Sequence, residues 1–233
     1  MILHLDASPR PLVPGRDGSH TRRLSARFMQ RWLAAAPHTA VCRRDLGSAP
    51  PSFPTAAFVE ASLTSATQRS SEMVRALAES DALVDELIAS DLIVAGVPMY
   101  NFAPPAQFKA YIDNVVRVGR TFGFDRAREP PYFPLLPAGK TLVLLSARGD
   151  YGYEPGQRAA HMNHVEPSIR TAFGYLGILD VRSIAIEYDE FPRDPRHAES
   201  VARAEAAVDA LVDSLLVTAA PRRTVREAAS TSG

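Results

Sequence analysis

The segment Leu92-Ile93-Val94-Ala95-Gly96-Val97 is apolar at every position. A strand with one wet face alternates apolar and polar side chains, so an unbroken run reads as a strand covered on both faces. Such strands belong to parallel sheets sandwiched between helices, which narrows the chain to α/β architectures. The strand is expected over Asp91 to Val97, and four more short runs fit as its partners: Ile2 to Leu5, Thr39 to Arg43, Thr141 to Leu145 and Val181 to Ile186.

Helical patterns fill the gaps. After Ser19, the residues Leu24, Phe28 and Trp32 recur every four positions and line one helix face. The stretch from Thr67 to Ala89 carries Met73, Leu77, Leu83, Leu87 and Ile88. Pro104 and Pro105 suit a first helical turn, where a missing N–H costs nothing, and lead into Phe108, Tyr111, Ile112 and Val115. Two more helices are expected over Met162 to Leu176 and Arg196 to Leu216. Alternating strands and helices with right-handed crossovers give a doubly wound five-stranded parallel sheet, order 2-1-3-4-5, with helices on both faces. One domain is expected over residues 1–217, and the charged, Ser/Thr/Gly-containing end, residues 218–233, reads as a disordered tail.

Composition excludes several classes. The 26 basic and 26 acidic side chains cancel, whereas a dedicated nucleic-acid binder carries a basic excess. No run of 18 or more apolar residues occurs, so no membrane span is expected. The single cysteine, Cys42, cannot close an internal disulfide or build a zinc-type cysteine cluster, and no secretory signal opens the chain. A reducing, cytoplasmic setting fits. Cys42 itself reads as a small buried hydrophobe, with activation by Arg43 and Arg44 as the other option.

In a doubly wound sheet, ligands sit beyond the strand C-termini near the point where strand order reverses. The loop after strand one runs from Asp6-Ala7-Ser8-Pro9-Arg10 to Gly18-Ser19-His20-Thr21 and contains neither a G-x-G-x-x-G nor a Walker sequence. Ser8, Ser19 and Thr21 beside a helix start suit a phosphomonoester, while a plain N-cap at Ser19 is the alternative. The third-strand loop, Pro98-Met99-Tyr100-Asn101-Phe102-Ala103-Pro104, places bulky aromatic and amide side chains outside the sheet, where a planar ring system would occupy them. Local packing of a helix-leading turn is the alternative. The fourth-strand loop reads Ser146-Ala147-Arg148-Gly149-Asp150-Tyr151-Gly152-Tyr153: its glycines permit close backbone approach, and Arg148 either faces an anionic ring edge or pairs with a neighbouring acid. Proline-rich insertions at 49–54 and 122–137, the second with Phe122, Phe124, Tyr132 and Phe133, serve a site, an interface or a sheet edge. His161, His164 and Glu166 lack an evident third metal partner and read as a solvated helix start, and no G-x-S-x-G elbow is present.

The element Pro98-Met99-Tyr100-Asn101-Phe102, followed by Gln107-Phe108-Lys109-Ala110-Tyr111-Ile112-Asp113, resembles the FMN-dependent NADH-azoreductases, also quinone reductases, of the flavodoxin-like superfamily. Gly119-Arg120-Thr121-Phe122, Gly139-Lys140, Arg148-Gly149 and Gly174-Tyr175-Leu176-Gly177-Ile178 add to the likeness, which runs to about Ala210. The resemblance implies a flavodoxin-like fold, a homodimer with active sites at the subunit interface, and one FMN per subunit. It implies ping-pong two-electron reduction of quinones or azo compounds by NADH or NADPH. Matched position by position, Ser8, Ser19, His20 and Thr21 hold the phosphate, Met99, Tyr100, Asn101 and Phe102 contact the ring system together with Arg148 and Gly149, and Phe124 and Tyr175 line the substrate side. No side chain is expected to act as acid, base or nucleophile, and no metal is expected. Departures from the family pattern are the long, proline-containing first loop, His20 in place of an amide, and Asp150 in place of a second glycine. A flavodoxin passing electrons to a partner protein is the competing reading, against which the balanced charge counts.

Overall fold

The computed structural model describes residues 1–13 and 18–230, with side chains through residue 218. Five strands form one all-parallel sheet: β1 (Ile2–Asp6), β2 (Val41–Asp45), β3 (Leu92–Pro98), β6 (Thr141–Ala147) and β7 (Asp180–Ile186). A two-stranded antiparallel hairpin, β4 (Phe122–Phe124) with β5 (Tyr132–Pro134), lies between β3 and β6 in the chain. The sheet order β2-β1-β3-β6-β7 is the expected 2-1-3-4-5 when only its own strands are counted. Register is set centrally, with Leu5 beside Ala95 and Ala95 beside Leu144.

The unbroken apolar runs follow from two cores. Successive side chains on a strand point to opposite faces. Ile93, Ala95 and Val97 therefore join Leu3, Leu5, Leu142 and Leu144 on one face. They pack there under α3 (Ser71–Ala89), α4 (Ala106–Val115) and α5 (Glu166–Tyr175), through Leu83, Phe108, Tyr111 and Phe173. Leu92, Val94, Val143 and Leu145 fill the other face against α1 (His20–Ala35) and α6 (Pro195–Ser230), through Leu24, Phe28, Trp32, Val201 and Val208. Paired ions clasp those two helices at their solvent edge, with Arg27 on Asp209 and Arg31 on Asp213, each through two hydrogen bonds.

Differences from the sequence reading have local causes. The helix α2 (Ala56–Leu63), capped by Thr55, went unread because only Ala61 of it is buried and its apolar residues make no stripe. The insertion over 122–137 contains the β4–β5 hairpin. Helix α5 begins at Glu166 rather than Met162, and α6 continues past Leu216 to Ser230; residues 231–233 lie outside those described. Cys42 borders the core, half-buried, and burial together with Glu86 pushes its thiol up, so the adjacent arginines do not activate it. Among the described residues no helix is long and apolar enough to cross a membrane.

Candidate active site

The loops after β1, β3 and β6 leave the same end of the sheet, and each is shaped by contacts that short-range sequence does not display. After β1, Ser8 is buried, and its carbonyl accepts hydrogen bonds from Arg22 Nε at 3.0 Å and Nη2 at 2.6 Å. Arg22 also donates to both carboxylate oxygens of Asp45, at 2.8 and 2.5 Å. That pairing holds the Asp45 carboxyl down at about 2. The loop after β2 closes against the same carbonyl at Gly47, where any Cβ would lie 2.1 Å from the Ser8 oxygen.

Ser19 caps α1 by accepting from the backbone N–H of Arg22, and its hydroxyl lies 3.1 Å from that of Thr21. Ser8, Ser19, His20 and Thr21 are all buried, and the first turn of α1 holds no acidic side chain. Hydroxyls and first-turn N–H groups at the positive end of a helix dipole form an anion-binding corner. Gly96 of β3 permits its close approach, since a Cβ there would meet the Thr21 carbonyl and Asp6 Oδ1 at 3.1 Å. The His20 imidazole is engaged elsewhere, with Nε2 3.0 Å from Asp189 Oδ1. Arg22 was missed in the sequence reading. Its signal was present: a cation in a helix first turn opposes the dipole and implies a specific acidic or carbonyl partner.

After β3, Met99 extends the ladder by donating to the Ala147 carbonyl at 2.9 Å. Tyr100 and Ala103 then exchange backbone hydrogen bonds at 3.0 and 3.1 Å. Asn101 and Phe102 between them have φ of 48° and 69°, left-handed at both central positions, as a tight reversing turn demands. Non-glycine residues hold that conformation at a cost, which marks the turn as constrained. It leaves Tyr100 and Phe102 36% and 41% exposed. The Phe102 carbonyl accepts from the His164 N–H at 2.9 Å, tying the turn to the residues that lead into α5.

After β6, the Arg148 guanidinium turns inward. It is 2% exposed and bonds Glu154 at 2.9 Å, Glu187 at 3.0 Å and Glu166 at 2.5 Å. Of the two roles open to Arg148 in the sequence, acid pairing is the one adopted, so this loop offers a ligand its backbone rather than that charge. Gly149 packs on its other side against the side chain of Glu190 in the loop after β7, where a Cβ would lie 2.5 Å from Oε1 and displace that exposed carboxylate. Asp150 is neutralised by Arg158, with both carboxylate oxygens 2.6 Å from Nη2.

Phe124 and Tyr175 come together, but not beside these loops. Tyr132 joins them, with ring centroids 4.8 Å from Phe124 and 5.9 Å from Tyr175, and Phe122 lies 5.0 Å from Tyr175. Helices α4 and α5 carry the chain back from the loop end to the starts of β6 and β7, where Thr141 pairs with Asp180. Ten-residue helices span about 15 Å, and the seven-residue strands about 20 Å. Within one chain the aromatic cluster thus sits at the far end of the sheet from Tyr100 and Phe102. Two clefts flank the loops, one of about 430 Å³ lined by Arg148, Glu154, Asn163 and Glu166, the other of about 340 Å³ lined by His4, Asp6, Arg22 and Arg43. Neither includes Tyr100, Asn101 or Phe102. The His161, His164 and Glu166 string does not converge as a metal cluster among the described residues.

Comparison with known proteins agrees with this architecture. A family model described as a flavodoxin-like fold matches residues 1–211. The FMN-dependent NADH:quinone oxidoreductase 2 of Colwellia psychrerythraea is 39% identical over 219 residues, covering 92% of this chain and 99% of that protein. The FMN-dependent NAD(P)H:quinone oxidoreductase 1 of Pseudomonas aeruginosa is 40% identical over 190 residues, covering 81% and 87%. Among solved structures, azoreductase AzrA superposes with a TM-score of 0.79 at 22% identity, covering 91% of this chain and 98% of its own. An FMN-dependent NADH-azoreductase from Bacillus anthracis, in complex with FMN, gives a TM-score of 0.78 at 18% identity, covering 92% and 98%. At those identities the two structures bear on the fold.

Proposed function

The chain belongs to the flavodoxin-like family, and from that premise we propose that it is an FMN-dependent NAD(P)H:quinone oxidoreductase. The observation that carries the reading is the pairing of two features at the strand-order reversal between β1 and β3. One is a buried hydroxyl corner at the start of α1, the other a constrained turn that holds aromatic side chains outside the sheet. The first suits the phosphate of FMN and the second its planar ring, so the residues present fit the cofactor.

Ser8, Ser19 and Thr21 would hold the phosphate through their hydroxyls, together with first-turn N–H groups that include that of His20. Met99, Tyr100, Asn101 and Phe102 would pack against the ring and orient it, with the backbone of Arg148 and Gly149 beside them on the same wall. FMN supplies two-electron chemistry when bound, while the protein orients it and excludes competing reactions. The net reaction moves a hydride equivalent from NAD(P)H and one solvent proton to the quinone, giving NAD(P)⁺ and hydroquinone. Aromatic azo compounds are two-electron acceptors of the same kind. No side chain is asked to act as acid, base or nucleophile.

A homodimer completes the site. The ring-binding turn has one protein wall in a single chain, and the cluster of Phe124, Tyr132 and Tyr175 stands exposed at the other end of the sheet. In a second copy that cluster supplies the missing wall on the substrate side. The cytoplasm is the proposed setting. An electron-transfer role toward a partner protein is less well supported, because the relatives at 39% and 40% identity are oxidoreductases acting on quinones by name.

The direct test follows NADH and NADPH oxidation by the FMN-reconstituted protein with benzoquinone as acceptor. Turnover dependent on both FMN and quinone is expected. A reconstituted, flavin-loaded protein that oxidises neither nucleotide with any quinone overturns the assignment.

A further inference from the structure

Three side chains with no structural duty in common meet beside the hydroxyl corner. His20 is the first residue of α1, Asp189 lies in the loop after β7, and His197 lies in the first turn of α6. One donor atom from each falls within 4.8 Å of the other two. His20 Nε2 lies 3.0 Å from Asp189 Oδ1. The two imidazoles meet edge to face, with centroids 5.3 Å apart and ring planes at 71°. Each histidine is only 6% exposed, and Nδ1 of His20 is buried without a hydrogen-bond partner. We propose that His20, Asp189 and His197 form a binding site for a divalent transition-metal ion of the zinc class.

Ligand chemistry selects the class. Imidazole nitrogens with one carboxylate suit zinc and its neighbours, whereas magnesium and calcium take oxygen cages. Three protein ligands leave one tetrahedral position for water or an anion. Bonds of about 2.0–2.2 Å separate tetrahedral ligands by roughly 3.3–3.6 Å. The His20–Asp189 pair is already near that spacing, and the three donor atoms, all within 4.8 Å of one another, reach it with small side-chain adjustments. The Asp189 side chain is 29% exposed, so an ion can reach the cluster from solvent. Two groups oppose a cation, the Arg10 guanidinium 3.8 Å from Asp189 Oδ2 and the positive end of α1. The ion is therefore expected to exchange in solution rather than to survive a chelator.

The ligand set stands on these three side chains and does not depend on flavin binding, so the two readings fail separately. The test is calorimetric titration of Zn²⁺ into the full-length, tag-free protein after chelator treatment, with FMN present throughout. One equivalent per chain is expected, with binding weakened at least tenfold in His197→Ala and in Asp189→Asn. His161→Ala, which alters an exposed histidine, should bind as the parent does. Circular dichroism of each variant without metal checks its fold, and Asp189→Asn carries the test should His197→Ala fail to fold. Absence of saturable binding by the parent protein, or undiminished binding by the folded variants, overturns the site.

Discussion

The guanidinium of Arg22 reaches back across the first turn of its own helix to the carbonyl of Ser8, with Nε at 3.0 Å and Nη2 at 2.6 Å. The same side chain grips Asp45 at the end of β2, so one arginine fixes the loop after β1 to the neighbouring strand. The hydroxyl corner at α1 is therefore held in shape before any ligand arrives, and pre-organisation of this kind lowers the cost of binding.

Asp45→Asn is expected to loosen that clamp, raise the FMN dissociation constant, and alter acid stability in a defined direction. The Asp45 carboxyl is depressed from its ordinary 3.8 to about 2. Its contribution is thus fully present above about pH 4 and is lost as the pH falls toward 2. With the carboxylate 32% exposed, a stabilisation of about 1 kcal/mol is reasonable after solvent screening. Urea unfolding across pH 2–7 should show the parent and variant curves separated at neutral pH and converging in acid. A constant gap would contradict the assignment of the effect to this carboxylate.

Phe102 combines a strained backbone with an exposed ring, and the two should separate on mutation. Phe102→Gly relieves the φ of 69° and is expected to leave thermal stability unchanged or raised by roughly 1 kcal/mol. FMN affinity should nevertheless fall, because the ring contact is gone. Parallel melting and flavin titrations check both directions, and a variant that loses stability yet binds FMN normally would refute the proposed role of the turn.

Arg148 neutralises part of a buried acidic cluster. Replacing it in Arg148→Met leaves Glu166 and Glu187, each with a side chain 10% exposed, without their guanidinium partner, although Glu187 still accepts from the Gly152 and Tyr153 N–H groups. Stranding buried charges in this way costs about 3–5 kcal/mol. Denaturant titration at neutral pH should show a deficit of that size; a variant as stable as the parent would contradict the role given to this cluster.

The proposed two-chain site makes a complementation prediction. A flavin-defective variant, Ser8→Ala with Thr21→Ala, retains its aromatic cluster, while Phe124→Ala with Tyr175→Ala retains its flavin loops. Mixing the two through a brief denaturation and refolding step should give heterodimers with one complete site and activity above the sum of the separate proteins. No rescue, or a sedimentation mass matching a single 25.3 kDa chain, would remove the shared site.

Much of this molecule could be read from order along the chain. A parallel sheet covered on both faces followed from the continuous apolar character of Leu92 to Val97, and its strand order from the alternation of strands and helices with right-handed crossovers. The aromatic turn was visible because Tyr100 and Phe102 had no core to fill. What escaped depended on partners distant in sequence. Arg22 meets Ser8 and Asp45 only after β1 and β2 pair, and Arg148 meets Glu166 and Glu187 only when α5 and β7 close around it. Phe124 and Tyr175 were singled out only by the family resemblance, and their distance from the loops after β1 and β3 is a consequence of topology, since α4 and α5 return the chain to the opposite end of the sheet.

Comparing the affinities of FMN and riboflavin for the flavin-free protein tests the central assignment most directly, because the two ligands differ only in the phosphate. The account predicts one FMN per chain, riboflavin binding weaker by at least a hundredfold, and that difference largely erased in Ser8→Ala with Thr21→Ala. Equal affinity for the two flavins, or no binding of either, would contradict it.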